Sequence, residues 1–123
     1  MQDISDEQFH ELINQAMDSL PKAHIDKVKN VAILLEEDVS QEERERMNLQ
    51  PNQTLLGLYH GVPLIQRQGQ LTTLPDTITL YKRPILNTVN NMTELKAQIR
   101  HTLWHEIAHY YGLNHTEIHN LEG

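Results

Sequence analysis

Apolar positions recur at helical spacing in the first twenty residues. Phe9, Leu12, Ile13, Ala16, Met17 and Leu20 fall on one stripe, the pattern of a helix that lays one face on a core. Ser5-Asp6-Glu7-Gln8 has the form of a capping box, and Ile4 and Phe9 can staple across it. Pro21 ends the run. From Val28 to Glu36 the pattern changes to near-continuous branched and apolar residues. That run predicts a central strand buried on both faces. Ser40-Gln41-Glu42-Glu43 is a second capping box and opens a short polar helix to about Met47.

Pro51-Asn52-Gln53 reads as a turn, and Thr54 to Tyr59 as a strand. Arg67 to Thr73 is polar and reads as a hairpin-like loop. In Asp76–Tyr81, Ile78 and Leu80 alternate with Thr77, Thr79 and Tyr81, which predicts a half-buried strand closed by Arg83-Pro84. Thr93 is the expected cap of a last long helix from Glu94 to about Tyr111. Its apolar stripe is Leu95, Ile99, Leu103, Ile107 and Tyr111. Trp104 falls on neither that stripe nor the histidine face of the helix.

Composition narrows the picture. A chain of 123 residues without repeats or linkers suits a single domain, 1–123. No Cys is present, which excludes disulfides, thiolate ligands and a cysteine nucleophile. The formal charge of −7 disfavours general nucleic-acid binding. No apolar run reaches membrane-spanning length, and the N-terminus lacks a signal-peptide pattern, so a cytoplasmic protein is expected, with no membrane partner.

The chemistry concentrates in His105-Glu106-Ile107-Ala108-His109-Tyr110-Tyr111-Gly112-Leu113-Asn114-His115. On a helix His105 and His109 stand about 6 Å apart along the axis and roughly 40° apart around it, so both imidazoles can meet one ion. The long helix's apolar stripe is centred about 140° from that pair, which leaves one side for the core and one for a cleft. Glu106 is offset by about 100°, away from the ligand positions and toward the metal's open one. His115 would lie roughly 240° around if the helix continued. Gly112 can break the helix and return His115 to the ion. Glu117, His119 and Glu122 are alternative third ligands. A string of His-Glu-x-x-His alone arises by chance, and the glycine and third histidine are what raise it above that. Zn2+ with three protein ligands keeps a position for water, lowers that water's pKa and polarises a carbonyl, with Glu106 as general base. Hydrolysis of a peptide or protein substrate is the natural use. An extended substrate could pair with an exposed strand edge, which either Thr77–Tyr81 or Leu55–Tyr59 could supply, although either can equally be ordinary interior sheet. Tyr59, Tyr81, Tyr110, Tyr111 and His60 are the candidates by type for oxyanion support. Two other readings compete. One is a metal-binding scaffold that performs no hydrolysis, and the other is a zinc hydrolase of small amides.

The motif resembles that of the zincins, and its glycine and third histidine resemble the metzincin form. Only eight residues follow His115, and none is the Met of a metzincin Met-turn. The chain is more similar to the small bacterial zincin-like metallopeptidase family. Leu55-Leu56-Gly57-Leu58-Tyr59-His60-Gly61-Val62-Pro63-Leu64 and Leu74-Pro75-Asp76-Thr77-Ile78-Thr79-Leu80-Tyr81 resemble two further signature segments of that family. The resemblance implies a minimal zincin-like α+β fold, with a small mixed β-sheet packed on an N-terminal helix and a C-terminal active-site helix. It implies His105 and His109 as metal ligands and Glu106 as the base. Many members carry Asp where this chain has His115, and either residue can bind zinc.

Overall fold

A computed structural model describes residues 1–20, 31–61 and 76–110. Helix α1 spans Asp6–Ser19. Ser5 caps it as expected: its Oγ accepts the Gln8 N–H at 3.1 Å, and Gln8 Oε1 accepts the Ser5 N–H at 3.2 Å. The reciprocal bonds satisfy donors that the first turn would otherwise leave open. Phe9, Leu12, Ile13 and Ala16 face inward and Leu20 closes the stripe.

Strand β1 is Val31–Glu36, β2 is Gly57–His60 and β3 is Asp76–Tyr81. Among the described residues they form one mixed sheet in the order β1-β3-β2, with β1 parallel and β2 antiparallel to β3. This order corrects two expectations. β1 is not central among the described strands. It pairs with β3 on one side, and Leu34 on its outer face is 44% exposed, while Val31, Ile33 and Leu35 pack on the core. Its apolar run is long enough for a two-sided strand, but only alternate residues find a covered face. β3, expected to be half-buried, is the central strand. Ile78 and Leu80 face the core, and Thr79 and Tyr81 are buried as well. Helix α2, Gln41–Arg46, contributes to that cover, since the Tyr81 hydroxyl donates to Glu43 Oε2 at 2.7 Å. α2 carries the second capping box as expected, with Ser40 and Glu43 as its two members.

At Arg83-Pro84, where the sequence pattern predicts only the end of a strand, a further helix runs: α3, Lys82–Asn87. Pro84 lies in its first turn, where a missing N–H leaves no bond unmade. Pro84, Ile85 and Leu86 are buried. Lys82 is buried too, and its Nζ is paired with Asp6 at 2.9 Å and Asp3 at 3.2 Å, which ties the N-terminal segment to α3.

Helix α4 spans Met92–Tyr110. Its cap is Asn91 rather than Thr93: Asn91 Oδ1 accepts the Glu94 N–H at 2.9 Å. Thr93 already lies inside the helix. Leu95, Ile99, Leu103 and Ile107 are fully buried, as their spacing predicts. Trp104, unplaced by periodicity, is 8% exposed and joins the same core. α4 packs on α1 along one side and on β2 and β3 along another. The helix that carries the histidine pair is therefore held directly against the sheet. No helix among the described residues is long and apolar enough to cross a membrane.

Candidate metal centre

The last two turns of α4 place His105 and His109 one above the other. Their ring centroids are 5.0 Å apart and the rings meet at 72°. Both are half-buried. Ligand atoms of His105, Glu106 and His109 all lie within 4.8 Å of one another. Two imidazoles so close can serve one divalent ion that takes nitrogen donors, zinc among them, and a carboxylate stands beside them. Tyr111, Gly112 and His115, with the alternatives Glu117, His119 and Glu122, lie outside the described residues.

Glu106 differs from its histidine neighbours. It is 8% exposed and turned toward β2, where its Oε1 accepts the Tyr59 backbone N–H at 3.0 Å. Burial pushes its carboxyl up to about 7, against a partial downward pull from the Tyr59 N–H. Removal from water disfavours the charged form more than one donor can restore it. This contact joins residues 47 apart in sequence, and no local pattern announces it.

One glycine lets β2 come this close to α4, and a second lets the chain pass close to Asp76. At Gly57 a Cβ would lie 2.9 Å from Thr102 Cγ2 and 3.3 Å from Glu106 Cγ, so the bare backbone allows β2 to rest on α4. At Gly61, φ is +153° and a Cβ would collide with the Asp76 side chain. Both the conformation and the space require glycine there. Asp76 itself is buried and accepts a hydrogen bond from the Tyr59 hydroxyl, which fastens the Tyr59 side chain to β3.

A cleft of about 280 Å³ opens beside Glu106, with Leu55, Leu56, Gly57, His101, His105 and Glu106 among its walls. The motif does not single out His101, although its position four residues before His105 repeats the spacing of the pair. Its ring centroid is 6.2 Å from that of His105.

The candidates for oxyanion support fare unevenly. Tyr81 is fully buried with its hydroxyl on Glu43, away from the histidines. The Tyr59 hydroxyl is engaged by Asp76. His60 is exposed at the end of β2. The side chains of Tyr110 and Tyr111 lie outside the described residues. Of the two strand edges expected to receive a substrate, Thr77–Tyr81 is ruled out because β3 is paired on both sides. In Leu55–Tyr59, the Tyr59 N–H points away from β3 and is already used by Glu106.

Comparison with known proteins agrees with this architecture. No curated protein matches the chain. A solved structure described as a conserved hypothetical protein from Thermo thermophilus superposes with a TM-score of 0.60 at 21% identity, over 88% of this chain and 94% of that one. At that identity the likeness speaks for the fold alone. The family model described as zincin-like metallopeptidase matches residues 28–123, which include both strands of the β2–β3 pair and the whole histidine motif. The mixed sheet, the flanking helices and this match over most of the length lead to one assignment: the chain belongs to the zincin-like metallopeptidase family.

Proposed function

We propose that the protein is a zinc-dependent metallopeptidase that hydrolyses peptide bonds in peptide or protein substrates. The observation that carries this reading is the convergence of two imidazoles and a carboxylate from one helix within 4.8 Å, with the carboxylate alone buried and held by the sheet. In it, His105, His109 and His115 hold Zn2+, and Glu106 is the general base. Bound zinc would supply an acidified water and a polarised carbonyl. The ligand atoms of His105 and His109 lie close enough to serve one ion, because their side chains share a face of α4. Glu106 keeps one oxygen on the Tyr59 N–H and has the other for the proton of the attacking water, which it then passes to the departing amine.

The buried carboxylate also weighs against a metal-binding scaffold without activity. Burial without a paired cation costs stability, and a structural site has no use for Glu106. The family membership supports the peptidase class over a hydrolase of small amides.

Protein purified without chelator is expected to carry about one zinc per chain by metal analysis. It should cleave a quenched peptide library, and chelator should abolish the cleavage. Glu106→Gln should keep the metal and lose roughly a thousandfold or more in kcat, at the upper end of a general base's usual contribution. Full activity in Glu106→Gln, or a metal-loaded wild type without any cleavage, overturns the reading.

A further inference from the structure

Glu106 is set in place by strand β2, not by its own helix. Within α4 its carboxylate has no rigid support, since a Glu side chain turns about three torsions. The contact that orients it is the Tyr59 N–H at 3.0 Å. That N–H is available because β2 pairs with β3 through alternate residues, which leaves the Tyr59 amide directed outward. The Tyr59 position is itself fastened, by its hydroxyl on buried Asp76. The close approach of β2 to α4 occurs at Gly57, where an added methyl would press on Thr102 Cγ2 at 2.9 Å, the Thr79 carbonyl oxygen at 3.2 Å and Glu106 Cγ at 3.3 Å. Thr102 is 4% exposed and cannot turn away freely. It is β-branched, and its Oγ1 accepts the Gln98 side-chain amide at 3.0 Å.

We propose that Tyr59 and Gly57 are positioning residues for the general base: the Tyr59 amide holds Glu106 Oε1, the close approach at Gly57 permits that bond, and Oε2 is left as the proton acceptor. This assignment rests on the reading of Glu106 as base. It adds that the strand, by fixing one oxygen, decides which oxygen can meet the water and at what angle. A misplacement of about 1 Å in such a group can lower a rate a hundredfold.

Two arms test it, and the first needs neither metal nor turnover. In chelator, amide hydrogen exchange at Tyr59 is measured by NMR in the wild type, Glu106→Gln and Glu106→Ala. Gln keeps an acceptor oxygen and Ala removes it. Tyr59 should exchange about tenfold faster or more in Glu106→Ala than in the other two, as expected for one lost hydrogen bond to a charged or polar acceptor. Leu58 and His60 should keep their protection, which shows that β2 remains paired. Equal exchange at Tyr59 in all three proteins overturns the proposal.

The second arm uses the zinc-loaded protein and a cleaved peptide. Gly57→Ala should lower kcat roughly ten- to a hundredfold, with KM within about twofold and the zinc content unchanged. Thr102→Ser in the same chain removes the tightest of the opposing atoms and should recover part of the loss, since the Thr79 carbonyl oxygen at 3.2 Å and Glu106 Cγ at 3.3 Å still face the new methyl. An unchanged kcat in Gly57→Ala, or a loss that Thr102→Ser does not relieve, overturns the positioning role. If the wild type cleaves no peptide, the peptidase reading fails, and the exchange arm still decides whether Tyr59 holds Glu106.

Discussion

At the scale of single residues, Glu106 carries the clearest conflict between stability and chemistry. Its folded-state carboxyl is raised from 4.5 to about 7, chiefly by burial. An acid raised in this way favours the fold only while protonated. Its penalty is absent below the unfolded pKa, grows as pH rises from about 4.5 to 7, and is complete above that. In chelator, Glu106→Gln should therefore be more stable than the wild type at pH 8, by on the order of 3 kcal/mol. The gap should close below about pH 4.5, where Glu106 is protonated in the folded and the unfolded chain alike. Urea unfolding at the two pH values measures it, and a constant difference would refute the burial argument. The identity of this residue is legible from its place between two histidines. Its partner is not, because a backbone amide has no signature in sequence and Tyr59 lies 47 positions away.

At the scale of elements, the helices follow local rules and the strands do not. α1 and α2 begin at their capping boxes, because the bonds involved join residues three apart. α4 shows how the same rule can be misapplied by two residues. Thr93 and Asn91 are both good caps by type, and Asn91 makes the bond. Asn91→Ala should lower stability by about 1 kcal/mol, and Thr93→Ala by less than half of that. Thermal or urea unfolding of the two variants separates them, and the reverse order would return the cap to Thr93. For the strands, β1 and β3 exchange the roles that their patterns suggest. A run of apolar residues predicts burial only if something covers both faces. Leu34 has no such cover to spare it from solvent, whereas Thr79 and Tyr81 are buried beneath neighbours on both sides of β3. α3 escapes the pattern for a related reason. Arg83-Pro84 ends a strand by the usual rules, but proline in a first turn also starts a helix.

At the scale of the whole molecule, α1, the sheet and α4 share one core, and the histidine pair is half-buried on α4. The chain buries a modest core, and Lys82 with Asp3 and Asp6 adds a polar tie between its N-terminal segment and α3. An ion bound by the folded state alone stabilises that state by mass action. Zinc at a free concentration a hundred times its Kd should add about 2.7 kcal/mol, which raises Tm by roughly 10 °C for a chain of this size. His105→Ala and His109→Ala should each remove most of that shift, and scanning calorimetry with and without zinc checks it. A shift that survives both substitutions would place the ion elsewhere.

The residues of the motif, the capping boxes and the apolar stripe of α4 are all determined within a few turns of chain. Short-range geometry suffices for them, so the sequence by itself announces two histidines on one face, a carboxylate beside them and the helix that carries all three. Strand order, the burial of β3, the role of Gly57 and the grip of Tyr59 on Glu106 depend on segments tens of residues apart meeting in one packing arrangement. Only the tertiary structure decided those, because covering a sheet face or supplying an outward amide is a property of neighbours in space, and neighbours in space are not encoded at any fixed spacing along the chain.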